Sequence, residues 1–202
     1  MIQVAIFLSG NGSNAIKLIE QSRKEDNINV AVLVSDREDS RTEEIAQKFS
    51  IPFYILSSQE KEKSCYEKKI LLHMEKYKVR WIFLAGYMRL LSKNFIQNFH
   101  DSNLEQARII NIHPSLLPKH RGLNAYKNAF KENERENGIT IHFVDSGMDT
   151  GKIITQHKFV RDVEDTFPTF KSKGLKIEHK YYPKVLSFIA KHKTLKGYSS
   201  EI

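Results

Sequence analysis

Asn111 and His113 stand two residues apart in the run Asn111-Ile112-His113-Pro114-Ser115-Leu116-Leu117-Pro118. On an extended strand, residues at i and i+2 face the same side, so both side chains can aim at one ligand atom. An amide N–H and an imidazole directed at a single carbonyl oxygen make a suitable pair to hold a developing oxyanion. The same two residue types also serve as ordinary polar groups at strand ends, and their spacing alone does not separate the two readings. Residues 108–110 before the pair read as the end of a short buried strand. Two prolines and Gly122 after it forbid regular structure and fix the loop. The carboxyl ends of strands are where open α/β sheets bind ligands.

A carboxylate belongs with such a pair. Asp149 lies in Asp145-Ser146-Gly147-Met148-Asp149-Thr150-Gly151, where flanking glycines allow a tight loop that presses the side chain into a cleft. A solvated turn aspartate is the plain alternative. Asparagine, histidine and aspartate together suffice for acyl or formyl transfer without a metal. No H-E-x-x-H or similar ligand spacing occurs, so no metal is expected. His142, in the strand before the aspartate loop, is expected to support or pack rather than catalyse. Cys65 reads as an inert helix residue, because nothing near it would lower a thiol pKa.

A third cluster, Ser9-Gly10-Asn11-Gly12-Ser13-Asn14, follows an apolar run and precedes a helical one. Strand, glycine loop and helix aim backbone N–H groups at a ligand above the helix start, a ready site for phosphate at Gly12, Ser13 and Asn14. Ser13 or Asn14 is expected to cap that helix. The loop also satisfies G-x-G-x-x-A with Asp36 at the end of the second strand, so an NAD-dependent dehydrogenase is a rival.

The elements that must carry these groups alternate. Strands are expected at residues 3–8, 28–34, 52–56, 81–85 and 108–110, and helices at 15–20, 42–49, 59–77, 92–99 and 124–134. Two further strands at 138–144 and 152–159 face each other across a glycine turn. A last helix starts at Thr166 with Pro168 in its first turn, and Pro183 should end or kink it. The fold class is α/β: a Rossmann-like, mostly parallel twisted sheet with helices on both faces and antiparallel strands toward the C-terminal part. Residues 1–190 form one domain, and 191–202 are expected to be a short basic surface tail.

Composition sets the outer bounds. With 202 residues, 40% hydrophobic and 28% charged, the chain fits one soluble globular domain. A single cysteine and no secretion signal point to a reducing cytoplasm. The net charge of +8 suits anionic partners, but Lys61, Lys63, Lys68, Lys69, Lys76 and Lys78 alternate with glutamates as on a solvated helix face. No RNA-recognition signature and no membrane span is present, so partners are expected to be small molecules, with the chain a monomer or homodimer.

Four runs in order, SGNGSN at 9–14, LAGYMRLL at 84–91, NIHPSLLP at 111–118 and GITIHFVDSGMDTG at 138–151, resemble the phosphoribosylglycinamide formyltransferases, folate-dependent enzymes of purine synthesis. The resemblance covers residues 2 to about 190. NIHPSLLP with the late aspartate is common to a wider group of formyl-transferring enzymes; SGNGSN narrows it to the glycinamide enzyme or formyltetrahydrofolate deformylase. The deformylase has an extra N-terminal domain and methionyl-tRNA formyltransferase a C-terminal barrel, so a chain of this length is expected to be the glycinamide enzyme. The resemblance implies a catalytic trio of Asn111, His113 and Asp149, with 10-formyltetrahydrofolate as cosubstrate. It also implies phosphate held at Gly12, Ser13 and Asn14, and the glycinamide portion contacted by Glu178. Folate would be lined by Met88, Arg89, Leu90 and Leu91, by Asn111, and by Val144, Asp145, Ser146, Gly147, Met148 and Asp149. Lys63 stands nearest the place where many members carry a folate-contacting arginine. The implied chemistry is direct attack by the glycinamide amine, with His113 kept as imidazolium by Asp149.

Overall fold

The computed structural model describes residues 1–56 and 63–198, apart from the side chains of Lys63 and Ser64. Strand β1 (Ile2–Leu8) is almost wholly buried, as an apolar run in a sheet covered on both faces must be. Parallel partners flank it: β2 (Ile28–Ser35) on one side and β4 (Val79–Leu84) on the other, with β3 (Phe53–Ile55) beyond β2. Next to β4 lies β7 (Ile109–His113), parallel, followed by antiparallel β8 (Glu136–Phe143) and β9 (Ile153–Val160). The seven-stranded order is β3-β2-β1-β4-β7-β8-β9. Strand order reverses between β1 and β4, which opens a crevice above their carboxyl ends.

Helices cover both faces. Helices α1 (Ser13–Ser22), α2 (Thr42–Phe49) and α6 (Phe167–His192) supply residues to one apolar layer; α3 (Lys63–Lys76) and α4 (Lys93–Gln97) supply the other. Phe170 of α6, with Tyr126 and Ala129 of α5 (Ala125–Lys131), makes a smaller cluster. Ser92 caps α4 by accepting from Phe95 N, and Thr166 caps α6 by accepting from Thr169 N. The expected α/β architecture is the one found.

Several local expectations change. The long helix expected over 59–77 is described from Lys63 to Lys76, and residues 59–62 lie outside the described residues. Strand β7 continues to His113, so Asn111 and His113 sit within the ladder rather than past its end. A hairpin, β5 (His100–Asp101) with β6 (Gln106–Ala107), was not expected; two residues per strand give no readable period, and the Arg108–Asp101 ion pair ties it down. Pro183 does not end α6. It removes one backbone hydrogen bond, but Tyr182, Val185 and Leu186 around it are fully buried and hold the helix on the sheet. The tail expected from residue 191 is also shorter: α6 runs to His192, Leu195 joins the core, and the Tyr198 ring packs edge-on against Phe188. Among the described residues, no helix is long and apolar enough to cross a membrane.

Candidate active site

Register alone brings the polar groups together. Asn111 pairs with Leu84 of β4 on one side and with His142 of β8 on the other. Its Nδ2 lies 3.2 Å from His142 Nε2 and 3.3 Å from Asp149 Oδ1. His142 Nδ1 is 2.8 Å from the Phe143 carbonyl, which can only accept, so that nitrogen carries the proton and a neutral ring offers Nε2 as acceptor to Asn111. His142, expected to support, therefore orients the amide and lies 3.5 Å from Asp149 Oδ1.

His113 is tied at both ring nitrogens. Nε2 donates to the His120 carbonyl at 2.8 Å, and Nδ1 lies 3.2 Å from Asp149 Oδ2. With the proton fixed on Nε2, a neutral ring turns a lone pair toward a carboxylate, and the pair lacks one proton between them. Burial pushes the His113 pKa below its ordinary value, more than the Asp149 carboxylate and the His120 carbonyl raise it. Burial of the ring, which is 5% exposed, thus works against the imidazolium expected from the sequence, while the Asp149 carboxylate works for it.

Asp149 occupies the left-handed region at φ 52°, uncommon for any residue but glycine and tolerated by aspartate. Its neighbours impose the turn. A Cβ on Gly151 would sit 1.8 Å from the Phe143 carbonyl oxygen, and Asp145 Oδ1 accepts from Gly147 N at 3.0 Å and Thr150 Oγ1 at 2.6 Å. Burial raises the Asp149 pKa, but the His142 ring, the Gly122 N–H (2.8 Å to Oδ2) and the His113 ring beside it outweigh burial and hold the carboxyl net below the ordinary aspartate value.

These groups edge a cavity of about 610 Å³, a size typical of small-molecule sites. Of the positions expected to meet folate, residues 88–91, Asn111 and residues 144–149 other than Ser146 line it. Ser146 is not among the lining residues, and the Lys63 side chain lies outside the described residues. Met88, Leu90, Leu123 and Met148 expose apolar surface at this cavity. The Arg89 guanidinium stacks 3.9 Å from the centre of the Tyr66 ring, and its buried Nη1 has no hydrogen-bond partner among the described residues. The segment 86–91 is pinned at both ends. Met88 N donates to Ser9 Oγ at 2.9 Å, and Glu67 accepts from Ser92 N at 2.7 Å and from the Ser92 hydroxyl.

The glycine loop lies at the far side of that pin. Gly12, at φ 66°, is the residue before α1, and a Cβ there would meet Ile45 and Leu8 within 3 Å. Neither Ser13 nor Asn14 caps the helix, contrary to expectation. Asn14 instead turns inward, its Nδ2 donating to Glu178 Oε2 at 2.5 Å, and its buried Oδ1 has no hydrogen-bond partner among the described residues. Tyr126 OH donates to Glu178 Oε1, also at 2.5 Å. Burial raises the Glu178 pKa, while these two donors and Lys171 lower it in part. Glu178 therefore joins the glycine loop to α5 and does not line the main cavity. Asp36 accepts from Ser9 Oγ and is 5% exposed, so it is not free to hold a nucleotide ribose as a dinucleotide site requires.

Tyr126 was not singled out in the sequence, and only its OH identifies it; in a helix it reads as core. His120, Glu132 and Glu134 also converge, with ligand atoms within 4.8 Å of one another. His120 Nε2 lies 3.2 Å from Glu134 Oε2 but makes no hydrogen bond among the described residues, and Lys119 donates to the other Glu134 oxygen at 2.8 Å.

The formyl transferase family model matches residues 2–186. The chain is 38% identical over 188 residues to phosphoribosylglycinamide formyltransferase of Bacillus subtilis, covering 92% of this chain and 93% of the relative. It is 32% identical to part of the trifunctional purine biosynthetic protein adenosine-3 of Drosophila melanogaster, covering 93% of this chain but 14% of that protein. The solved structure of phosphoribosylglycinamide formyltransferase from Bacillus halodurans superposes with a TM-score of 0.87 at 34% identity, over 98% of this chain and 100% of that one. Glycinamide ribonucleotide transformylase 1 from Symbiobacterium toebii gives 0.86 at 30% identity, over 95% and 88%.

Proposed function

The chain belongs to the formyl transferase family, and on that premise we propose that it moves the formyl group of 10-formyltetrahydrofolate to the amine of phosphoribosylglycinamide, a step of purine biosynthesis. The observation that carries the reading is the meeting of Asn111, His113 and Asp149 at the edge of a largely apolar cavity.

The folate ring system enters the cavity between residues 88–91 and the 144–149 loop, and the phosphate of the ribonucleotide meets the loop at Gly12, Ser13 and Asn14. Glu178, held against Asn14, faces the glycinamide end. The neutral amine attacks the formyl carbon, and the C=O electron pair moves onto oxygen. Asn111 donates to that oxyanion, which displaces the longer of its two present contacts, the one to Asp149. The attacking nitrogen gains positive charge and must lose a proton. The His113–Asp149 pair, short of one proton, takes it directly or through a water. The ring becomes an imidazolium beside both the carboxylate and the oxyanion, where its charge is of most use. The oxyanion then collapses, the C–N10 bond breaks, and the proton passes to N10. No covalent enzyme intermediate is needed, because the amine is a competent nucleophile once deprotonated. The reading carries with it a cytoplasmic location, a monomer or homodimer, and no nucleic-acid partner.

An absorbance assay for folate deformylation, run with and without glycinamide ribonucleotide, tests this. Turnover only in its presence is expected; formate release in its absence identifies a deformylase instead.

A further inference from the structure

One hydroxyl touches three strand-end segments. Ser9, the first residue after β1, donates to Asp36, the first residue after β2, and accepts from the backbone N–H of Met88 beyond β4 at 2.9 Å. Both side chains are nearly sealed, Ser9 at 4% and Asp36 at 5% exposure. The acceptor role of Asp36 fixes the direction of the chain: the serine proton goes to the carboxylate, which leaves the oxygen lone pairs for Met88. Ser9 also opens the glycine loop, whose Gly10 carbonyl accepts from Arg41 N at 3.2 Å. The Met88 end bears on the cavity, since Met88 and Leu90 are half exposed at its wall. A segment with exposed side chains on a narrow base depends on its few backbone anchors for position.

We propose that Ser9, oriented by Asp36, is a positioning residue that sets the Met88 wall of the formylfolate cavity and links that wall to the phosphate loop. Neither residue touches substrate. A ligand that orders residues 9–14 also orders Ser9, and through it the N–H of Met88, so the two substrates tighten one another's binding. Linkage makes the effect reciprocal. The proposal rests on the function proposed above, for which the two sites are the folate and ribonucleotide sites.

The test is a fluorescence titration of the protein with a non-reactive 10-formyl folate analogue, with and without glycinamide ribonucleotide, alongside steady-state kinetics. In the wild type, the ribonucleotide should lower the analogue Kd several-fold. Ser9→Ala should raise the analogue Kd and the formylfolate KM by about tenfold, the size expected when one buried N–H loses its acceptor. It should change kcat by less than about threefold and bring the ribonucleotide effect close to nil, on the same energetic grounds. Ser9→Thr and Asp36→Asn keep the hydroxyl and the acceptor, and should restore most of both. Three results would overturn the proposal: no ribonucleotide effect in the wild type, unchanged folate affinity in a folded Ser9→Ala, or an equal loss of kcat and both KM values that Thr fails to rescue. Wild-type turnover of the ribonucleotide keeps the proposed function standing in any of those cases. A wild type that binds neither ligand overturns both.

Discussion

Asn111 divides one amide nitrogen between a histidine and a carboxylate while its backbone stays in the β7 ladder. Alanine at this position therefore removes a donor without removing a strand. Turnover by Asn111→Ala should fall by roughly 10²–10³, the loss of one oxyanion donor or about 2.7–4 kcal/mol, while the melting temperature stays close to that of the wild type. Initial rates at saturating substrates with a parallel melt check this; near-normal turnover would remove Asn111 from the site. The protonation of the other two groups is separately testable. On the proposed mechanism His113 and Asp149 are both unprotonated when they receive the amine proton, and both have pKa values lowered from their ordinary 6.5 and 3.8. The His113 ring of the free protein should therefore titrate below 6.5, read from its imidazole proton shifts by NMR. A His113 midpoint at or above pH 6.5 would count against the neutral ring. Asp149→Asn keeps the left-handed turn, which asparagine tolerates, but removes the charge; its turnover should fall with the loop intact.

At the scale of elements, α6 is fitted to α5 at one point with no slack. A Cβ on Gly174 would come within 2.2 Å of the Tyr126 hydroxyl, the donor to Glu178. Alanine is the better helix former by about 1 kcal/mol, yet overpacking a filled site costs about 1–3 kcal/mol, and displacing the hydroxyl strips a donor from a buried carboxylate. Gly174→Ala should be net destabilising, read as a lower denaturant midpoint; a higher midpoint would show that Tyr126 yields freely. Such fits explain what the sequence discloses and what it hides. The apolar runs of β1, β2 and β4 and the caps Ser92 and Thr166 were legible because burial and local capping act within a few residues. Asn111, His113 and Asp149 were legible as a set because a strand spacing and a glycine-flanked turn carry them. Tyr126 beside Glu178 was not, because residues 52 apart meet only through the packing of two helices. The inward turn of Asn14 and the passage of α6 through Pro183 were hidden for the same reason: tertiary burial overrode a local rule.

For the molecule as a whole, four histidines, His73, His113, His157 and His179, have pKa values lowered from 6.5, burial being the first cause in each; that of His157 falls to about 4, helped by Lys184 and Lys180. The unfolded chain binds protons at these rings near pH 6.5 while the folded one does not, so their stabilising contribution is present above that pH and is lost as pH falls toward 4. Glu178, with its raised pKa, works in the opposite sense above 4.5 but is one group against four. Denaturant midpoints measured from pH 7.5 down to 5 should fall, and the slope should flatten in His157→Gln; a flat or rising wild-type series would overturn this. A different consequence attaches to the hydrogen bond between Asn14 and Glu178, which joins residues 164 apart. Synthesis delivers Asn14 of the glycine loop 164 residues before its α6 counterpart. A growing chain that has already made Asn111, His113 and Asp149 has not yet made Glu178. The carboxylate that holds Asn14 is thus made after the residues that edge the main cavity.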